Sequence, residues 1–262
     1  MELSILEFGL MKDIFDVTHF FQGNIQISVI DIETITEELK QFIDENIYQI
    51  CIGEDGDLST IKLDLKGRIE RWGDQNKIIG SIAEFFIHLY LKYKGYKQEC
   101  LFFNLEENSL KKGFDGLYSI GDDLWFMESK SGLITTSGIT HASKIREAYN
   151  DVKAKITTEV SNNPWLNAYN HARVVETKKE LRDRLKRLSD DFINHRYQSI
   201  DDNNIIPSAT IFLNGVWTPQ NHDEIVQSIK RISILQGKKI HVICVTQNSY
   251  EMFMQYLGAE NE

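Results

Sequence analysis

The chain has 262 residues, of which 42% are hydrophobic and 26% charged, and its formal net charge is −10. This length and composition are typical of a folded globular protein with a sizeable core and exclude a disordered chain. The acidic balance argues against a protein that coats nucleic acid, but not against an enzyme that meets phosphates through a divalent cation.

The first 70 residues contain one predicted strand and one predicted helix. The segment IQISVIDI, Ile25 to Ile32, alternates as a strand does, and apolar residues recur about once a turn from Thr34 to about Tyr48. The run CIGEDGDLS that follows is typical of a solvated turn, because its DGD lacks the remaining ligand positions of a calcium loop. We predict that residues 1–70 form an N-terminal elaboration packed on a core of residues 71–262, which is one continuous domain.

A long apolar helix is predicted from Asp74 to about Lys94, with Asp74 as its N-cap and Gly95 as its stop. Its most apolar part, IIGSIAEFFIHLYL, runs 14 residues and contains Glu84 and His88, so it is too short and too polar to span a bilayer. We interpret it as a core helix, with His88 a hydrogen-bonded core histidine, and expect no contact with a membrane. The segment KQECLFFNL that follows predicts a strand.

The rest of the chain alternates helices and strands. An amphipathic helix is predicted from about Ile139 to Val160, ended by Pro164, and a second helix from about Val174 to Tyr197. The tail indicates a strand, a helix and a strand, with Asn221 and Gly237 capping the helix. A crossover helix between two apolar strands implies a parallel pair, so the predicted class is α/β, a mixed central sheet flanked by helices.

Cysteine usage and the N-terminal sequence indicate a reducing, cytoplasmic setting. Cys51, Cys100 and Cys244 are far apart and odd in number, so we expect neither a disulfide framework nor a structural zinc. The segment MELSILEFGLMKDIF lacks a basic stretch followed by an uninterrupted apolar one, which argues against a signal peptide. We therefore expect a cytoplasmic protein.

The segment KKGFDGLYSIGDDLWFMESKSG, residues 111–132, predicts a hairpin that brings charged side chains together. If Gly121-Asp122 is a two-residue turn, residues equidistant from it lie opposite each other. Asp115 is then opposed to Glu128. Lys130 shares the face of Glu128, because residues two apart in a strand project to the same side.

Two opposed carboxylates repel each other unless a cation lies between them. Mg²⁺ or Mn²⁺ would bind Asp115 and Glu128, and the main-chain carbonyl of Ser129 is a further candidate ligand. Lys130 could orient or deprotonate a water and offset charge on a phosphate, as phosphodiester hydrolysis requires. Glu84, costly to bury alone in its apolar helix, is expected to support the metal shell, although it could instead pair with a neighbouring Lys or Arg.

The order of these elements resembles the PD-(D/E)XK nuclease superfamily over about Asp74 to Leu213, with Phe114 where the motif has Pro. The segments GSIAEFFIHLYL, KKGFDGLY and DDLWFMESKSG resemble more closely the HamA family, the nuclease subunit of Hachiman anti-phage defence. The resemblance implies a restriction-endonuclease-like core, a metal-dependent DNase and a helicase partner, HamB. The residues that match the superfamily motif are Asp115, Glu128, Lys130 and Glu84.

Two basic groups are candidates for DNA contacts. Lys111 and Lys112 open the hairpin at the mouth of the expected site. The helical segment KKELRDRLKR holds six basic and two acidic residues, and Lys179, Arg182 and Lys186 would share one side of it. For this segment we favour a solvated face with intrahelical ion pairs, with contacts to phosphates or a partner as the alternative.

We therefore expect a Mg²⁺-dependent deoxyribonuclease that acts in defence with a helicase partner. One alternative is a catalytically silent nuclease-fold module for interaction or DNA sensing, and another is a stand-alone restriction or resolvase-type endonuclease. The complete set of Asp, Glu and Lys favours an enzyme. In a site without catalytic activity, nothing would offset the repulsion between opposed carboxylates.

Overall fold

The computed structural model describes residues 14–103, 105, 113–232 and 235–259. Within them, seven strands form one mixed sheet. The strands are β1 (Asp16–Gln22), β2 (Ile25–Ile32), β3 (Lys97–Gln98), β4 (Gly116–Ile120), β5 (Asp123–Leu133), β6 (Asn204–Phe212) and β7 (Lys239–Gln247). The helices are α1 (Glu37–Ile52), α2 (Leu58–Glu70), α3 (Gln75–Tyr93), α4 (His141–Thr157), α5 (Pro164–Val174), α6 (Lys179–Ile193), α7 (His222–Lys230) and α8 (Glu251–Gly258), with a short 3₁₀ helix at Ile200–Asp202.

The strands lie in the order β1-β2-β7-β6-β5-β4-β3. The four central strands β2, β7, β6 and β5 are parallel, while β1, β4 and β3 pair antiparallel toward the edges. The predicted parallel pair, β6 and β7 with a crossover helix, is confirmed, as is the α/β class. β1 and β2 belong to this same sheet, and the domain boundary at residue 70 stays a prediction.

Apolar side chains cover both faces of the sheet. One face packs against α1, α2, α3 and α8 through residues such as Phe86, Tyr118 and Met127. The other packs against α4, α5, α6 and α7 through residues such as Phe126 and Trp165. In the described part of the chain, no helix combines the length and the apolar character that crossing a membrane would require.

The long apolar helix is confirmed as α3, with Asp74 as its N-cap, since the Asp74 side chain accepts a hydrogen bond from the Lys77 N–H. Gly95, directly after the C-cap residue, has a φ of +78°. The strand predicted from KQECLFFNL is wrong beyond Lys97–Gln98, apart from one further bond from the Glu99 N–H to the Leu117 carbonyl. The Leu101 N–H instead donates to His171 Nδ1, and the N–H groups of Phe102 and Phe103 donate to carbonyls at the end of α1.

The region from Pro164 to Tyr197 contains two helices instead of one. Pro164 begins α5, because a missing N–H costs no hydrogen bond at the first helical position. Val174, the predicted start of the second helix, is the last residue of α5. The chain then turns through Glu176, whose φ is +51°, before α6 begins at Lys179.

The crossover helix α7 is shorter than the sequence indicates. Asn221 caps its N-terminus as predicted, accepting a hydrogen bond from the Glu224 N–H. The helix ends at Lys230, because the Ile232 N–H bonds to the Ile229 carbonyl and closes the last turn. Gly237 therefore caps no helix and lies in the turn that enters β7, close to the start of β6.

The β4–β5 hairpin has the predicted register. Ile120 pairs with Asp123 across the turn, and Gly116 pairs with Met127 at the other end of the ladder. Gly121 has a φ of +58°, the conformation that a tight hairpin turn requires at this position. Asp115 and Glu128 are consequently the first opposed residues beyond the ladder.

Two buried histidines make the stability of this fold sensitive to acid. Burial lowers the pKa of His141 to about 4 and that of His241 to about 3, both from 6.5. His141 Nε2 lies 3.1 Å from the Val245 carbonyl, and His241 bonds to Ser28 and Tyr96. Unfolding returns both rings to water, where they take up protons below about pH 6.5.

We expect the free energy of unfolding to fall by roughly 1.4 kcal/mol per pH unit for each histidine, from about pH 6 to about pH 4. The sign follows because the unfolded chain binds protons that the folded chain does not. Denaturant titrations of wild type and His141→Gln at several pH values measure this slope. The variant should show a shallower slope, and equal slopes would contradict the assignment.

Candidate active site

The candidate site lies where β4 and β5 separate. One carboxylate oxygen of Asp115, Oδ2, accepts a hydrogen bond of 2.9 Å from the N–H of Ser129. The N–H and the carbonyl of one strand residue point to the same side. The Ser129 carbonyl therefore also faces Asp115, in the gap that opens after the last ladder pair.

Glu128 is the most buried charged residue of this site, with 2% of its surface exposed. Burial and then the nearby charge of Asp115 raise the pKa of Glu128 to about 7, although Lys155 and Lys130 act in the opposite direction. The structure thus brings the two predicted carboxylates together at the fork of the hairpin.

Lys130 lies beside Glu128, with 3.3 Å between its Nζ and Glu128 Oε1. Its Nζ is also 2.5 Å from Oδ2 of Asp151 on α4. Burial lowers the pKa of Lys130, but the charges of Glu128, Asp151 and Asp115 outweigh burial, so the pKa is raised. In this arrangement the carboxylates favour the cationic form of Lys130, which is suited to holding an anion or a water.

Two residues of α4 complete the site, and neither was predicted from the sequence. Lys155 Nζ lies 2.5 Å from Glu128 Oε2 and donates a hydrogen bond of 2.9 Å to the Gly113 carbonyl. Asp151 precedes it by one turn and holds Lys130. Their spacing of four residues puts both on one face of the helix, a signal that was visible in the sequence.

Glu84 approaches from α3, on the face of the sheet opposite to α4. Its Oε1 is 3.4 Å from Nε2 of His88, and the other ring nitrogen of His88 forms a short hydrogen bond with the Tyr118 hydroxyl. Burial first, and then the neighbouring carboxylates of Glu84 and Asp115, raise the pKa of Tyr118. Glu84 and Asp115 therefore lie near the same phenol, and His88 is the hydrogen-bonded core histidine that was expected.

The basic residues predicted to contact DNA lie on α6 or outside the described structure. Lys111 and Lys112 fall among residues that the structure does not describe. Lys179, Arg182 and Lys186 lie on α6, and in the described part of the chain none of them forms an ion pair. The expected intrahelical ion pairs are therefore wrong for these three residues within the described structure. Their basic surface also carries acidic residues, because Asp183 and Asp190 follow Lys179 and Lys186 by one turn.

The oxygen atoms at the fork suit a hard divalent cation. Mg²⁺ is commonly held by one or two carboxylates, with waters and substrate oxygens as its other ligands. Asp115 and Glu128 supply two carboxylates, and the Ser129 carbonyl faces the same gap. Among residues 14–103, 105, 113–232 and 235–259, no group of three or more His, Cys, Asp and Glu side chains could hold a metal, so protein side chains alone would not complete its shell.

The fold is α/β, a mixed seven-stranded sheet flanked by helices, and it is consistent with a nuclease-like core. The family model described as HamA matches residues 12–257, and the chain belongs to this family. The HamA resemblance drawn from the three segments is thus confirmed. Comparison with curated proteins gives no match.

Gly113, two residues before Asp115, lies against Asn167 of α5, and this contact can be tested by substitution. A Cβ at Gly113 would lie 2.5 Å from Asn167 Oδ1. We expect Gly113→Ala to destabilise the protein by about 1–3 kcal/mol, because the added methyl overpacks a closed contact.

The same change in an Asn167→Ala background should recover part of this stability, because Ala removes Oδ1 but keeps the Cβ, which lies 3.0 Å from the added methyl. Denaturant unfolding of the two single variants and the double variant will measure this. An unchanged cost in the double variant would show that Asn167 Oδ1 is not the obstacle.

Proposed function

We propose that this protein is a metal-dependent nuclease that hydrolyses DNA phosphodiester bonds and acts in Hachiman anti-phage defence. The observation that carries the proposal is the juxtaposition of Asp115, Glu128 and Lys130 at the fork of the hairpin. Family membership supports a role in defence. The order of helix, hairpin and helix around the site supports a PD-(D/E)XK core.

Asp115 and Glu128 would hold Mg²⁺ or Mn²⁺, together with the Ser129 carbonyl. When bound, such an ion activates water and stabilises negative charge on a phosphate. Lys130, cationic and directed by Asp151, would donate to an oxygen of the scissile phosphate or to the attacking water. Glu84 would support the metal-bound waters from the α3 side.

A helicase partner of the HamB type fits the charge of the chain. The net charge of −10 disfavours tight unaided binding to DNA, whose affinity for proteins depends on Lys and Arg at the phosphates. A partner that grips and unwinds DNA would deliver it to the hairpin. A helicase gene beside the gene for this chain would distinguish this arrangement from a stand-alone endonuclease.

The nuclease proposal predicts that activity depends on the hairpin residues and on a divalent cation. We expect Glu128→Ala and Lys130→Ala each to lower the rate of DNA cleavage by at least about 100-fold, since each removes charge that acts on the metal or the transition state. The measurement is degradation of linear DNA with Mg²⁺ or Mn²⁺, with the helicase partner present.

Lys153→Ala is the matched control, because Lys153 is a half-buried lysine of α4 that lies over the Tyr149 ring and forms no ion pair in the described part of the chain. It should cleave at the wild-type rate. Equal activity in wild type and both hairpin variants would refute the assignment, and absence of cation binding would favour the silent interaction module.

The basic surface of α6 is proposed to contact DNA phosphates, together with Lys111 and Lys112. Combined replacement of Lys179, Arg182 and Lys186 by Ala should weaken DNA binding and reduce the dependence of log K on log salt by about 0.9 per lost phosphate contact. Fluorescence anisotropy at several salt concentrations provides both quantities.

A triple replacement at Lys40, Lys66 and Lys230 removes the same charge elsewhere and serves as the control. Equal effects of the two triple variants would mean that α6 contributes only to net charge.

A further inference from the structure

The ion pair between Glu128 and Lys155 occupies a carboxylate oxygen that a metal ion would need. Glu128 has two carboxylate oxygens, and both contact ammonium groups: Oε1 that of Lys130, and Oε2 that of Lys155. The contact to Lys155 is the shorter of the two, at 2.5 Å against 3.3 Å. A cation that used Oε2 of Glu128 would therefore have to take over a position that Lys155 fills.

Lys155 also holds the segment that leads to Asp115. Its ammonium donates to the Gly113 carbonyl, two residues before Asp115, at 2.9 Å. One side chain of α4 thus ties both carboxylate-bearing segments of the fork together. It offsets part of the repulsion between the half-buried Asp115 and the buried Glu128.

Lys130 and Lys155 differ in how far they depend on Glu128. Lys130 is held by Asp151 as well as by Glu128, so it keeps a partner if its contact to Glu128 is lost. No carboxylate other than Glu128 lies within ion-pair distance of Lys155 in the described part of the chain, although its side chain is 22% exposed and has a path to solvent.

We propose that Lys155 is a positioning residue: it is the counter-ion of Glu128 while the site holds no divalent cation, and it gives up Glu128 Oε2 when a divalent cation binds. This inference rests on the proposed function. It adds that cation binding competes with an internal ion pair. The affinity of the site for Mg²⁺ is thereby lower than it would be without Lys155, because the ion pair must be broken first.

Substitution of Lys155 provides the test, with Mn²⁺ as the probe and isothermal titration calorimetry of the whole chain as the readout. We expect Lys155→Met to bind Mn²⁺ about tenfold more tightly than wild type, because a positive charge a few ångströms from the cation is removed. Its melting temperature without added cation should be lower than that of wild type, because Glu128 loses its nearest counter-ion. The rise in melting temperature on adding Mn²⁺ should be larger.

Two further variants separate the effect of the Lys155 charge from that of its hydrogen bond to the Gly113 carbonyl. Lys155→Gln removes the charge but keeps an N–H donor for the Gly113 carbonyl, so it should bind Mn²⁺ as tightly as Lys155→Met; it also serves if the Met variant fails to fold. Lys153→Met, on the same helix, should behave as wild type.

Wild-type affinity in Lys155→Gln would overturn the proposed exchange, as would unchanged or weaker Mn²⁺ binding in Lys155→Met. If wild type cleaves DNA but neither Lys155 variant binds Mn²⁺ more tightly, the inference fails and the nuclease proposal stands. If neither wild type nor the variants bind Mn²⁺, both fail.

Discussion

A carboxylate that is almost fully buried needs opposite charge close to it, and the candidate site is arranged around this requirement at Glu128. Glu128 lies in β5, a strand with β4 on one side and β6 on the other, so its backbone position is set by the sheet. The charge is met by one lysine from its own strand and one from α4. The sheet thereby fixes the position of the Glu128 carboxylate, and α4 supplies Lys155, one of its two positive partners.

This requirement links distant parts of the chain. The Glu128–Lys155 and Lys130–Asp151 pairs hold α4 across β5, and the Lys155 bond to the Gly113 carbonyl holds the segment before Asp115. Aromatic packing reinforces the same region, because Trp165 of α5 contacts both Phe114 and Phe126. Asp115 is therefore positioned from its own hydrogen bond to Ser129 and from the helices that cover the hairpin.

Local patterns predicted those elements whose apolar residues follow a clear period. α3 has an apolar surface and an Asp N-cap, and the β4–β5 hairpin has a turn that sets its register. α2 was missed because Lys62 interrupts its apolar stripe. Lys62 is nevertheless buried, paired with Asp44 at 2.9 Å and lying over the Tyr256 ring. β1 was missed because it is a half-exposed edge strand without sharp alternation.

The sequence by itself determined that Asp115, Glu128 and Lys130 converge, because strand pairing around a two-residue turn depends only on counting residues from that turn. Tertiary structure decided that Asp151 and Lys155 join them. A helical face can be read from spacing, but the strand that it meets depends on how the chain crosses the sheet. It also decided that Glu84 comes from the opposite face and that Lys130 is held as a cation, since both depend on contacts between segments far apart in the chain.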